Sequence, residues 1–237
     1  MTADEEKLYD ELRNLGKRLH IPIPEAFWEL EVRDENGRVI QRLRQRSHSW
    51  VRNAYNHLFG NLAGKDLDNS GNYGAGYLSL RDTNGYIRAG NGPGISDAGL
   101  SWDGTTYGYR APAGQDEWGI LVGSGTNPES FEDHILQTKI TDGTGAGQLS
   151  HVQSEGHSVT WDAPTLTMKN ELVRYFNNNS GASVDVNEVG LFPRGYIIGS
   201  SAPTNYMFAR DKLASTVTVP DTGQLKVTYT VQLTYPA

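Results

Sequence analysis

The sequence predicts a mainly β protein, an antiparallel β-sandwich of jelly-roll-like character with an N-terminal helical arm and one short packed helix. Three observations predict it. From Leu225 to Tyr235 apolar and polar side chains alternate strictly, a period of two that belongs to a strand with one buried face. Val184 to Phe192 carries a similar pattern, and the turn sequence from Pro220 to Gly223 precedes the last strand. Turn residues then recur at short intervals along the 237 residues, the spacing of a sandwich or barrel. A face made of Leu225, Val227, Tyr229, Val231, Leu233 and Tyr235 needs a second layer to cover it.

Residues 3 to 20 predict a helix, capped by Thr2 or Asp4, with Glu5 and Glu6 in the first turn where the helix dipole favours acids. Leu8, Leu12, Leu15 and Leu19 form a narrow stripe on one side. A helix this short is marginal alone, so the stripe is expected to be buried, either on the chain's own β domain or on a neighbour. Ile21, Pro22, Ile23 and Pro24 predict an extended spacer, because proline disfavours helix in the residue before it. The expected division is an arm and proline linker over 1–24 and a sandwich over 25–237, with a Gly- and Tyr-rich loop or insertion at about 64–118.

Trp28 to Asp34 alternates as a strand, Asn36 and Gly37 mark a hairpin turn, and Arg38 to Leu43 returns. The period then changes. Trp50 or Val51, Ala54, Tyr55, Leu58 and Phe59 share one helical face, with Ser49 as cap and Gly60 as stop, and this helix is expected to pack on the sheet. Between Gly64 and Gly119 the pattern thins, apart from a small hairpin whose arms, Tyr77 to Asp82 and Tyr86 to Arg88, flank Asn84 and Gly85. Trp118 to Gly123 reads as a short buried strand. Further strands are expected at 149–154, 158–161 and 165–176 before the C-terminal ones.

A net charge of −7 argues against the whole chain binding nucleic acid. Inside this acidic chain, Arg38, Arg42, Arg44 and Arg46, with Arg33 and Arg52 nearby, make a cationic segment. It reads as a solvated strand face paired with acidic neighbours or another subunit, or as a surface that docks on an acidic partner. The absence of cysteine excludes disulfides and Cys-ligated metals. The acidic N-terminus lacks the pattern of a secretory signal, and no apolar run reaches membrane-spanning length. The protein is therefore expected to be made and kept in solution, with no membrane partner.

Few constellations promise chemistry. Asp66 to Gly71 begins like a calcium loop, but Tyr77 stands where the bidentate Glu belongs, so a polar turn is the better reading. Gly90, Gly92 and Gly94 lack the strand and the Lys of a phosphate loop, and Gly123, Ser124 and Gly125 lack the spacing of a nucleophile elbow. The histidines, His20, His48, His57, His134, His151 and His157, are dispersed, so neither metal nor cofactor is expected. Asp116 and Glu117 near Trp102, Tyr107, Tyr109 and Trp118 suggest a hydrolytic acid pair, a glycan-stacking face or, more commonly, loop packing. Glu188, on a strand close to Gly190, is expected to accept bonds from a loop backbone or to pair with Arg210.

The segments Gly119 to Pro128, Asn177 to Phe192, Phe208 to Asp211 and Val217 to Val231 together resemble a β-sandwich module of tailed-bacteriophage virion proteins. Ser47 to Asn56 is similar to the N-terminal part of the same proteins, and the likeness covers about half the chain. The resemblance implies a non-enzymatic virion protein, foremost a capsid decoration or cement protein, assembled in the host cytoplasm as a trimer or other symmetric oligomer. Its partners would be major capsid or tail proteins. A fibre, tail or baseplate component with a receptor- or glycan-binding head is the alternative. On the first reading Leu8, Leu12, Leu15, Leu19, Arg38, Arg42, Arg44 and Arg46 make the assembly contacts; on the second, Trp102, Tyr107, Tyr109 and Trp118 form the ligand face.

Overall fold

The computed structural model describes residues 3–63, 71–88, 107–195 and 203–236. In chain order the elements are α1 (Ala3–Leu19), β1 (Ile23–Arg33), β2 (Val39–Arg46), α2 (Arg52–Ala63), β3 (Leu80–Arg81), β4 (Ile87–Arg88), β5 (Gly119–Gly123), β6 (Ser150–His151) and β7 (Ser158–Asp162). They continue with β8 (Thr167–Asn177), β9 (Val184–Phe192), β10 (Arg194–Gly195), β11 (Thr204–Asn205), β12 (Ala209–Val219) and β13 (Gln224–Thr234). One antiparallel sheet runs β2-β1-β13-β8, with β6 and β7 both pairing along the outer edge of β8. The second runs β12-β9-β5, and a single apolar core lies between them.

Alternation builds this core directly. On the larger sheet Trp28 stands opposite Tyr229 and Tyr229 opposite Leu172; the next inward rungs are Leu30, Val227 and Arg174, then Val32, Leu225 and Phe176. The Trp28 and Tyr229 rings pack with centroids 4.1 Å apart. Burying each apolar side chain of these rungs contributes roughly 1.5–3 kcal/mol before ordering costs. The smaller sheet supplies Ile120, Val122, Val186, Val189, Leu191, Val217 and Val219. Pairing of β9 with β12 slips between Lys212 and Val217, and the inward set of β9 moves from Val184 and Val186 to Val189 and Leu191. That slip puts Glu188 on the opposite side, with Phe192.

This second side is also buried. Leu121 and Phe192 meet Ala111, Trp118, Leu136, Met207 and Val51, so loops form a further layer outside the small sheet and all of β5 is enclosed. Along one seam the two sheets are tied by side chains. Gln41 and Gln45, four apart on β2, each donate to a β12 carbonyl (Thr216 and Lys212) and accept a β12 amide (Thr218 and Ala214) at 2.8–3.0 Å.

Arg174 occupies a core-facing rung and is fully buried. Its guanidinium donates to the carbonyls of Val152, Trp118, Ile120, Pro112 and Gln115, which holds the 112–120 segment against the sheet. Burial lowers its pKa to about 10.

Several expectations need correction. The spacer is short: Ile23 and Pro24 already belong to β1, and the chain reverses at His20, which has a left-handed φ of 54°. Gly16 permits the reversal, since a Cβ there would meet Ile23 Cγ1 at 2.7 Å and the Ile21 carbonyl at 2.8 Å. Gly60 does not stop α2; it is buried inside a helix that continues to Ala63. The described parts of 64–118 are woven into the domain, with Asp82 bridged to Tyr206, Gly108 to Arg194, and Leu80 packed on Tyr206 and Phe208. The calcium-like loop before Gly71 and the glycines at 90, 92 and 94 lie outside the described residues. No helix among the described residues is long and apolar enough to cross a membrane.

Candidate functional site

The leucine stripe of α1 faces outward. Leu8, Leu12, Leu15 and Leu19 are 64, 43, 46 and 57% exposed. Of the two expected covers, the chain's own β domain is therefore not the one used, and the helix is held by its polar side instead. Arg13 donates to both oxygens of Glu25 at 2.9 Å, to Glu6 at 2.9 Å and to Asp10 at 2.6 Å. Arg46 of β2 donates to Glu25 and, at 2.8 Å, to Glu6, while its guanidinium lies 3.6 Å from the Tyr9 ring centroid and 4.7 Å from that of Phe27. Gln232 of β13 adds a bond to Glu25 at 3.2 Å. Both Glu25 and Arg46 are buried, so this is a locked network rather than a solvated pair. Bonds from Arg13 and then Arg46 hold the Glu6 carboxyl below its ordinary value of 4.5.

The cationic segment divides accordingly. Arg46 is an internal anchor, which corrects its expected role as a surface contact. Arg42 pairs with Glu31 at 2.7 Å, Arg44 lies 4.8 Å from the Phe27 ring centroid, and these two with Arg38 remain exposed on β2 and its turn.

Helix α2 repeats the inversion in part, for Val51 just before it and Ala54 do pack inward as expected. Tyr55, Leu58, Phe59 and Leu62 are exposed, although the first three belong to the face expected to pack inward. The docked side carries amides. Asn53 donates to the carbonyls of Arg81 (2.8 Å) and Met207 (3.2 Å) and accepts the Arg81 N–H (2.8 Å); Asn56 donates to Ser79 (2.7 Å) and Tyr77 (3.2 Å). His57 packs on Phe208 with ring centroids 5.3 Å apart, and burial takes its pKa down to about 4. Between the two helices runs a groove of about 230 Å³ whose lining includes Tyr9 of α1, Arg46, His48, Trp50, and Tyr55 and Leu58 of α2. Tyr55 continues the aromatic surface to Trp50 (6.2 Å) and Phe131 (5.7 Å).

The expected ligand face does not assemble among the described residues. Trp118 is fully buried beneath Arg194, and Tyr109 packs against two core clusters; Tyr107 is half-buried, and Trp102 lies outside the described residues. Asp116 and Glu117 do line a cleft of about 280 Å³ with Lys139, Asn205, Thr83 and Asn84. Burial would raise the Asp116 carboxyl, but the Asp142 N–H and Lys139 outweigh it and the pKa falls, the opposite of what a proton-donating glycosidase acid requires.

Glu188 behaves as its motif implied. It accepts the N–H groups of Gly125 (3.3 Å), Gln137 (3.1 Å) and Thr138 (2.8 Å) and the Arg210 Nε–H (2.8 Å). A Cβ on Gly123 or Gly125 would stand 2.5 Å from its Oε1, which explains both glycines. Arg210 also binds Asp133 at 2.7 Å and the carbonyls of Pro128 and Asn127 at 3.2 Å, so the 124–138 loop is pinned at both ends.

One convergence had no sequence signal. His48, Glu129 and Asp211, far apart in the chain, bring one potential ligand atom each within 4.8 Å of the others. Comparison with protein-family models, curated proteins and solved structures gave no match.

Proposed function

We propose that this chain is a non-enzymatic assembly protein of a tailed-phage particle, foremost a decoration or cement protein that binds a neighbouring virion protein through α1. The observation that carries the reading is the orientation of that helix: four leucines stay in water while Glu6, Arg13, Glu25 and Arg46 are spent on holding the helix still. A helix anchored in this way has its apolar stripe preorganised, so binding costs little further ordering. At ~25 cal/mol per Å² of apolar area, four leucines contribute several kcal/mol per copy before ordering costs, and repeated copies on a lattice add by avidity. Arg38, Arg42 and Arg44 supply a cationic rim suited to an acidic partner, whereas Arg46 sets the position of the arm. A trimer or other symmetric oligomer would present several such arms together. The receptor-binding reading is less well supported, because Trp118 and Tyr109 are packed inside the domain.

The test is rebinding to particles assembled without this chain. The wild-type chain is expected to bind them, and a chain carrying Leu8→Ser, Leu12→Ser, Leu15→Ser and Leu19→Ser is expected to stay in the supernatant while keeping its thermal midpoint. Equal occupancy by both would overturn the proposal.

A further inference from the structure

Asp211 of β12 is fully buried, and its hydrogen-bond donors are neutral. Trp28 Nε1 donates to Oδ2 at 2.8 Å, the Ser47 hydroxyl to Oδ2 at 2.6 Å, and the backbone N–H of His48 to Oδ1 at 3.1 Å. A buried carboxylate ordinarily has a counter-charge, as Glu25 and Glu188 have here in Arg46 and Arg210. At Asp211 the group facing Oδ1 is the His48 ring, with Nδ1 3.8 Å away. Glu129 arrives from the loop pinned by Glu188 and Arg210, and its Oε1 accepts the Lys212 N–H at 2.8 Å. A cleft of about 260 Å³, lined by His48, Ser49, Trp50, Glu129, Ser130 and Phe131, opens at this point.

We propose that His48, Glu129 and Asp211 form a three-ligand site for a divalent transition-metal ion of the zinc class, which clamps the 124–138 loop to the seam between the two sheets. One imidazole and two carboxylates suit Zn²⁺, Co²⁺ or Mn²⁺, whereas Ca²⁺ and Mg²⁺ favour oxygen-only sets. The surroundings fit that role. Trp28 and Ser47 fix Asp211 through Oδ2 and leave Oδ1 toward His48, the carboxylate being held by donors outside the three-residue set. The side chains come from three segments, after β2, in the 124–138 loop and in β12, so the ion would add to the hydrogen bonds and the Arg210 ion pair that already join them. The site goes beyond the assembly reading and does not depend on it.

The experiment uses the full chain, stripped with a chelator and then titrated with Zn²⁺ or Mg²⁺. We expect one Zn²⁺ per chain and a thermal midpoint raised by ~5–10 °C at a hundredfold excess over Kd, with no rise from Mg²⁺. His48→Ala and Glu129→Gln should each weaken Zn²⁺ binding by at least about 100-fold, since loss of an outer-shell partner alone costs roughly 10- to 100-fold. His20→Ala, at the exposed end of α1, should bind as wild type. Should His48→Ala fail to fold, Glu129→Gln gives the same reading, because Gln can still accept the Lys212 N–H. No bound Zn²⁺ in the wild type, or undiminished affinity in both site variants, would overturn the site.

Discussion

The sandwich and the two helices use apolar periodicity in opposite ways. In β1 and β13 the alternating set, Trp28, Leu30 and Val32 against Tyr229, Val227 and Leu225, is driven inward and closes the core. In α1 and α2 the large apolar side chains, Leu8, Leu12, Leu15 and Leu19 with Tyr55, Leu58 and Phe59, are turned outward, while ion pairs, amides and the small Ala54 face the protein. The difference teaches that periodicity shows which residues share a face, and burial of that face is a separate matter settled by what the other face can bond to. Glu6 and Arg13 find Arg46 and Glu25 on the sheet, and Asn53 finds three backbone groups, so the polar sides have the better partners within the chain.

The contrast should appear first as a difference in stability. Trp28→Ala removes a fully buried ring that also bonds Asp211, and is expected to cost about 3–5 kcal/mol in denaturant unfolding. Next comes Arg46→Met, which leaves buried Glu25 with one cation, Arg13, and the Gln232 amide, and is expected to cost about 3 kcal/mol; adding Glu25→Gln should recover part of the loss, as measured in a double-mutant cycle. Acid should act on the arm before the core. Because the folded pKa of Glu6 is depressed, its stabilisation is full above the ordinary value of 4.5 and is lost as pH falls through the lower folded value. Amide exchange between pH 6 and 3 should therefore show α1 opening while β1 and β13 stay protected. The smallest effect is expected at the stripe itself, where Leu12→Ser or Leu15→Ser changes the stability of the isolated chain by no more than about 0.5 kcal/mol. A larger loss there would mean the leucines are packed within the chain, and the contrast would fail.

The strands of the larger sheet are legible because its core face is marked by a period of two, whereas β5, enclosed on both sides, shows as a short apolar run. The hairpin at Asn36 and Gly37 and the turn at Pro220 to Gly223 were legible for the same local reason, a fixed backbone demand. Glu188 and Arg210 were legible as a pair through their motif. Arg174 has a signal of its own, since alternation places it on the face shared by Leu172 and Phe176. The docking sides of the helices were not legible, because Asn53, Gly60 and Arg13 resemble ordinary surface residues until their partners are known. His48, Glu129 and Asp211 are joined only by the meeting of the segment after β2, strand β12 and a pinned loop, and no spacing in one dimension encodes that.

Radical footprinting of leucine side chains, on the free chain and on the chain bound in its particle, reads the outward stripe directly. The account predicts that Leu8, Leu12, Leu15 and Leu19 are modified in the free chain and strongly protected when bound, while Leu30 and Leu225 are protected in both. Labelling of the four that is equally high in both states, or already absent in the free chain, would contradict it.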